Sequence, residues 1–299
     1  MYPATIDRYL APNTLQQALE ALSIQHDGDA MCIAGGMSLM QAMKSRLVQP
    51  KTLVDLQHLP GINSIQFSSD AIAIGAMTRY AAIARETRLH GAYEALNDAA
   101  RHVGDRQVRN RGTIGGSLCW NSLAACCPPT CLALGAEIEL ASLDDKKSQR
   151  TRRIAIGDFL KGPLETARRS DELMLSIRLP APPKNAGTAY RKWALVTDAF
   201  PVVGVAVYVE VNASGTCTVA RVAVGGLVSG PKRAASAEKA LVGKGANDQS
   251  AIAAAFQAAA QELDVQADMW ASQDYRRMLI QELGVEVIHT AFQRATGQK

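Results

Sequence analysis

The sequence predicts an α+β protein: a mixed, two-lobed N-terminal part followed by an antiparallel sheet backed by helices. Three observations carry that expectation. Short apolar runs of strand length alternate with stretches of helical periodicity up to residue 179. Two glycine pairs sit where such runs give way to turns, in Cys32-Ile33-Ala34-Gly35-Gly36-Met37-Ser38-Leu39 and Arg111-Gly112-Thr113-Ile114-Gly115-Gly116-Ser117. The segment Pro180-Ala181-Pro182-Pro183-Lys184-Asn185-Ala186-Gly187 then breaks the pattern, because proline fixes φ and removes an amide donor. At 299 residues the chain exceeds one ordinary core, and the divisions expected are 1–57, 58–179 and 180–299.

In chain order, Thr14 can cap a helix whose Leu15, Ala18, Leu19 and Leu22 share a face. Met31–Ala34 is a short strand, and Leu39, Met43 and Leu47 follow at helical spacing, with Lys44 and Arg46 facing outward. Pro50 stops that helix, Thr52–Leu56 is the next strand, and the opening segment reads as a βαβαβ-like unit. Strands at Ile62–Phe67 and Ala71–Ile74 flank a Ser68-Ser69-Asp70 turn, with helices at Arg79–Arg85 and Ala92–Val103. The second glycine loop leads through 118–134 to a strand at Glu137–Leu140. A charged turn over Asp144–Arg153, a helix at Ile156–Leu160 and a strand at Glu172–Leu179 follow. Beyond the prolines lie strands at Thr188–Trp193, Val202–Val211 and Cys217–Val224, a helix at Ala251–Leu263, and a long helix from Ser272.

Composition excludes several classes. Apolar residues at 47% and charged residues at 20% describe a globular protein, and a net charge of +4 is small for this length. The basic cluster Lys146-Lys147 and 150–153 has no interleaved aromatics and reads as a solvated hairpin rather than a nucleic-acid patch. No apolar run reaches the ~20 residues of a membrane span. The start, Met1-Tyr2-Pro3-Ala4-Thr5-Ile6-Asp7-Arg8-Tyr9, lacks a signal-peptide pattern. Six irregularly spaced cysteines do not make a disulfide framework, so a reducing cytoplasm is expected.

Glycine pairs let a backbone bend sharply and let an anion approach the amides. Successive free amides in such a turn form an anion-binding concavity, strengthened where a helix begins. Two such turns, each with a hydroxyl at Ser38 or Ser117, suit the diphosphate of a dinucleotide. A G-x-G-x-x-G pattern after the first strand is missing, which disfavours a nicotinamide Rossmann site. The histidines at 26, 58, 90, 102 and 289 show no metal-ligand spacing, and exposed or capping roles are expected for them. Neither a Ser-His-Asp set nor paired carboxylates stand out, so no catalytic side chain and no metal ligand is assigned. That silence suits chemistry carried by a cofactor.

The run Ala34-Gly35-Gly36-Met37-Ser38-Leu39, with Lys44, Arg46-Leu47 and Leu53-Val54-Asp55-Leu56, resembles the flavin-binding medium subunit of molybdenum hydroxylases. This family includes carbon monoxide, xanthine and N-heterocycle dehydrogenases. Ile74-Gly75-Ala76-Met77-Thr78 and Gln107-Val108-Arg109-Asn110-Arg111-Gly112-Thr113-Ile114-Gly115-Gly116-Ser117 are similar to its second signature. Asp171-Glu172-Leu173-Met174-Leu175-Ser176-Ile177 and Ser272-Gln273-Asp274-Tyr275-Arg276-Arg277 extend the resemblance over almost the whole chain.

The resemblance implies a two-lobed FAD-binding domain of the vanillyl-alcohol-oxidase/MurB type, with the C-terminal unit closing over the isoalloxazine. By position, Cys32, Ile33, Ala34, Gly35, Gly36, Met37, Ser38 and Leu39, with Thr113, Ile114, Gly115, Gly116 and Ser117, would wrap the pyrophosphate. Val103, Gln107, Met174, Arg191, Lys192 and Phe200 would lie near the rings. Where the family carries two carboxylates this chain has Ser122 and Cys126, so Cys126 would face the flavin end as a weak acceptor.

Cys119, Cys126, Cys127 and Cys131 lack a usual cluster or zinc spacing, and Cys127 and Cys131 share a helical face as small hydrophobes would. The implied partners are a small subunit with [2Fe–2S] clusters and a large molybdenum-pterin subunit, in a dimer of heterotrimers. Electrons would pass to NAD⁺, oxygen or another acceptor. A scaffold with weakened flavin and a stand-alone flavin oxidoreductase are the alternatives.

Overall fold

The computed structural model describes residues 4–23 and 29–297, so His26 lies outside the described residues. The first unit comprises β1 (Arg8–Leu10), α1 (Leu15–Ser23), β2 (Ala30–Ile33), α2 (Leu39–Lys44) and β3 (Thr52–Asp55). Its sheet is parallel, in the order β1-β3-β2. Thr14 Oγ1 accepts from the Gln17 amide at 3.2 Å, and Ala18, Leu19 and Leu22 of α1 pack on Val54 and Leu56. Helix α2 ends earlier than the apolar spacing predicts. Arg46 turns left-handed (φ 58°), and Leu47 is left 67% exposed beyond the helix.

The second unit runs through β4 (Ile65–Phe67), β5 (Ala71–Gly75), α3 (Tyr80–Arg85), α4 (Glu94–His102), α5 (Arg106–Arg111), α6 (Ile114–Trp120) and α7 (Cys127–Leu134). It continues with β6 (Glu137–Leu143), β7 (Gln149–Ala155), α8 (Ile156–Phe159), β8 (Leu160–Gly162), β9 (Glu165–Thr166) and β10 (Leu173–Pro180). Its five-stranded antiparallel sheet has the order β4-β5-β10-β6-β7. The strand expected over 62–67 begins only at Ile65.

The charged turn expected over 144–153 closes by residue 148, where Asp144 accepts from the Lys146 and Ser148 amides. Residues from Gln149 onward are the edge strand β7. Their arginines keep a half-paired edge soluble, a role that composition alone does not separate from a loop. Helix α7 is buried along its length, and burial pushes the Cys131 thiol up to about 12. Cys127 and Cys131 therefore behave as core hydrophobes.

The third unit holds β11 (Ala186–Trp193), β12 (Val203–Val211), β13 (Cys217–Gly225), β14 (Lys232–Arg233), α9 (Ala235–Leu241), α10 (Gln249–Glu262) and α11 (Gln273–Thr296). Its antiparallel sheet has the order β11-β12-β13-β14; α11 covers β11 and β12, α9 covers β13, and α10 packs on both helices. Strand β11 starts at Ala186, inside the segment expected to be irregular. Arg294 of α11 reaches Asp98 of α4 at 2.6 Å and the Thr188 carbonyl at 2.7 Å, fixing this unit against the second. Among the described residues, no helix is long and apolar enough to cross a membrane.

Candidate functional site

Strand β2 delivers the chain to the first glycine loop at the end of the parallel sheet. Among the described residues, the backbone amides of Gly35, Gly36, Met37, Ser38 and Leu39 have no protein acceptor. Gly36 takes φ 74°, a conformation that side chains resist. Ser38 stands at the N-cap of α2 but makes no capping hydrogen bond, so its hydroxyl is not spent on the helix. A run of exposed donors is a costly arrangement unless water or a ligand accepts from it.

The second loop departs from the expectation of free amides. Ile114 donates to the Thr78 carbonyl at 3.1 Å, Gly115 to Ala76 at 2.9 Å and Ser117 to Thr113 at 3.1 Å. The Gly116 amide donates to Thr113 Oγ1 at 3.1 Å, an N-cap bond that starts α6. Its glycines serve close approach instead. A Cβ on Gly115 would lie 2.6 Å from the Ala76 carbonyl oxygen. On the facing loop, a Cβ on Gly35 would lie 2.1 Å from the Arg111 carbonyl oxygen. The two loops are thus pressed together, backbone against backbone.

They form one wall of an open cavity of about 430 Å³ that runs between all three units. Of the residues expected from sequence, Cys32, Ala34, Gly35, Gly36, Met37, Ser38, Leu39, Val103, Thr113, Gly115, Gly116, Ser117, Cys126, Met174, Lys192 and Phe200 line it. Ile33, Gln107, Ile114 and Arg191 do not. Ile33 packs beside Leu39 and Met43, and Ile114 is buried in the second core. Gln107 is exposed on α5, and Arg191 pairs with Glu286 at 2.7 Å. Strand alternation explains the last case: on β11, Lys192 faces the cavity and its neighbour Arg191 faces away.

Sequence reasoning missed His102, Trp120, Arg168 and Glu172, which also line the cavity. Glu172 is 1% exposed and accepts from Arg152 at 2.6 and 2.8 Å and from the Arg169 amide at 2.7 Å. Burial raises its pKa, but these donors outweigh burial and hold the carboxyl below its ordinary range. Arg168 is anchored by the Arg169 and Glu172 carbonyls at 2.9 and 2.8 Å. It has no carboxylate partner among the described residues and lies near Cys32 and Cys119. No local motif marks Arg168; a basic residue four positions before a buried glutamate is the only cue.

At the other end, the Lys192 ammonium donates to the Ala199 carbonyl at 2.6 Å. Burial pulls its pKa down, as it does for His102, where Lys192 and Arg191 add to the effect. Burial pushes the Cys126 thiol up, opposed by the neighbouring Tyr190 hydroxyl. A neutral thiol leaves the Lys192 ammonium and the Asp198 carboxylate as the charges at this end of the cavity. Unpaired amides, an unpaired guanidinium and a half-buried ammonium together fit an extended, anionic, aromatic ligand, as FAD is.

Comparison with known proteins agrees. Residues 4–182 match the family described as FAD binding domain in molybdopterin dehydrogenase, and residues 188–291 match the CO dehydrogenase flavoprotein C-terminal domain. The chain is 33% identical to the nicotine 6-hydroxylase medium subunit of Paenarthrobacter nicotinovorans, covering 92% of this chain and 94% of that protein. It is 28% identical to the carbon monoxide dehydrogenase medium chain of Hydrogenophaga pseudoflava, covering 96% and 97%. Among solved structures, carbon monoxide dehydrogenase from H. pseudoflava lacking the Mo-pyranopterin moiety superimposes with a TM-score of 0.89 at 30% identity, covering 98% and 99%. Quinoline 2-oxidoreductase from Pseudomonas putida 86 also gives 0.89 at 30% identity, covering 99% of each chain.

Proposed function

The chain belongs to the FAD-binding medium subunits of the molybdenum hydroxylase family, and from that premise we propose its place in electron transfer. It takes electrons from [2Fe–2S] clusters on a small partner subunit and hands them to NAD⁺, oxygen or another acceptor. Substrate oxidation belongs to a large molybdenum-pterin subunit, and the assembly is a cytoplasmic dimer of such heterotrimers. FAD, when bound, supplies the redox chemistry.

The chain's own residues bind and orient. The amides of Gly35–Leu39 donate to the diphosphate, and Arg168 neutralises part of its charge. Val103 and Met174 supply apolar wall for a ring, and Lys192, held by the Ala199 carbonyl, places a positive charge at the flavin end. Phe200 lines the mouth while 75% exposed, where a ring or a partner can cover it. The observation that carries this reading is the row of five unpaired amides in the first loop.

Visible absorption and subunit analysis of the purified protein test it. Flavin bands on this chain, with larger and smaller subunits co-purifying, are expected. A colourless chain that still holds its partners would make it a scaffold. Substrate turnover by this polypeptide alone would make it a self-sufficient flavin enzyme.

A further inference from the structure

Strand β2 and helix α6 pass each other in opposite directions beside the first glycine loop. A Cβ on Gly35 would lie 2.8 Å from the Cα of Gly112, just before α6. One on Gly116, in the first turn of α6, would lie 3.9 Å from Ala34 Cβ. Moving back along the strand thus moves forward along the helix. Cys32 stands two residues before Ala34, on the same side of an extended chain, while Ile33 between them faces Leu39 and Met43. Cys119 stands three residues after Gly116, on the same face of the helix. The next pair in this register is Cys32 with Cys119.

Both are free thiols, both are half-buried, and both line the flavin cleft. Burial pushes the Cys32 thiol up to about 11 and raises Cys119 as well, so both stay protonated at neutral pH and persist until an oxidant reaches them. The Arg168 guanidinium opposes burial at each thiol, and Cys119 adds to it at Cys32, as expected of groups that face one another. The spacing of 3.9 Å between the two faces at Ala34 and Gly116 falls within the roughly 3.5–4.5 Å that a disulfide spans between Cβ atoms.

We propose that Cys32 and Cys119 are a modification site: peroxide closes them into a disulfide in the flavin-free chain, and the closed form does not take up FAD. The proposal rests on the cleft being the flavin site. One thiolate attacks peroxide, breaking the O–O bond to leave a sulfenic acid and a hydroxide, which takes up the proton that the thiol lost. The second sulfur then displaces water, so two thiols and one peroxide give one disulfide and two waters. The bond ties the strand that carries the first loop to the helix opposite, and it sets two sulfurs in space open to the ligand.

Treating the full flavin-free chain with hydrogen peroxide at mildly alkaline pH tests the proposal, read by intact mass, peptide mapping and FAD fluorescence titration. A loss of ~2 Da per chain and a linked Cys32–Cys119 peptide are expected. FAD affinity should fall about tenfold or more and return with a thiol reductant. Cys119→Ala should show neither change. The absence of a link between these two residues, or a link that leaves FAD affinity unaltered, would overturn the proposal. A reduced chain that fails to bind FAD would tell against the flavin reading instead, because the link is read by mass without the cofactor.

Discussion

In the loop at 35–39 five consecutive amides are left without protein acceptors, whereas in the loop at 114–117 every amide is committed to one. Both contain a glycine pair, and both lead into a helix. The difference lies in what precedes them. The first loop leaves the end of a parallel strand, and the chain at Arg111–Gly112 beside it accepts none of its amides. The second is laid against residues 76–80: the Thr78 and Ala76 carbonyls take the Ile114 and Gly115 amides, and Thr113 takes those of Gly116 and Ser117. Similar sequence thus yields one loop built for a ligand and one built to brace it. The brace needs Gly115 for packing, and the first loop needs Gly35 where it presses on the Arg111 carbonyl.

The most severe way to break that brace is Gly35→Val. The new Cβ would fall 2.1 Å from the Arg111 carbonyl oxygen, and both partners are backbone, so neither can step aside. We expect a loss of about 3 kcal/mol or more, read by chemical denaturation of the flavin-free chain. Gly36→Ala is the control. It strains a positive φ, but its Cβ approaches the flexible Met40 side chain at 3.2 Å and Ile33 at an ordinary 3.6 Å, so about 1 kcal/mol is expected. Equal stability of the two apo variants, with flavin lost from Gly35→Val alone, would refute the bracing role and return Gly35 to the ligand.

Glu172→Gln tests the cation that faces the first loop. Glu172 gathers Arg152 and Arg169, and its own carbonyl holds Arg168 in the cavity wall. Leaving the Arg152 and Arg169 guanidiniums, 33% and 65% exposed, without their buried carboxylate should cost about 1–2 kcal/mol and weaken FAD binding in parallel. The folded-state pKa of Glu172 lies below its unfolded value. Its stabilisation is therefore complete above the ordinary carboxylate range and is lost as pH falls through the depressed value. Acid titration of unfolding should show this slope in the parent chain and a flatter one in the variant. An identical acid limb in both would show that Glu172 is not the group responsible.

How much of this was legible in the residues follows the same division. Strand-to-turn transitions and glycine pairs are local, and they place the loops, most strands of the three larger sheets and most of the cavity wall. Whether an amide is free depends on what lies across from it, and nothing near 113–117 announces that Thr78 and Ala76 stand opposite. His102, Trp120 and Arg168 escaped for a related reason: each reaches the cavity through tertiary placement rather than through a motif. The edge strand β7 was misread because arginines on a solvated strand and arginines in a turn have the same composition. Family resemblance supplied Val103, Met174 and Lys192, which periodicity could not; it also named Arg191, which strand alternation turns outward.

The smallest effects discriminate most sharply, because the two hydroxyls that begin the helices have opposite duties. Thr113 Oγ1 accepts from the Gly116 amide, so Thr113→Val should cost about 1 kcal/mol of apo stability, the usual value of a lost cap. Ser38 occupies the same position before α2 yet makes no such bond. Ser38→Ala should therefore leave apo unfolding within ~0.5 kcal/mol of the parent. If its hydroxyl donates to a diphosphate oxygen, FAD affinity should fall about tenfold, the worth of one hydrogen bond to a charged group. Paired measurements, denaturation without flavin and fluorescence titration with it, place each variant on two axes. Thr113→Val should move chiefly along stability and Ser38→Ala along affinity. Movement of both variants along the same axis would mean that the two loops share one role, and that the unpaired amides of the first are met by water alone.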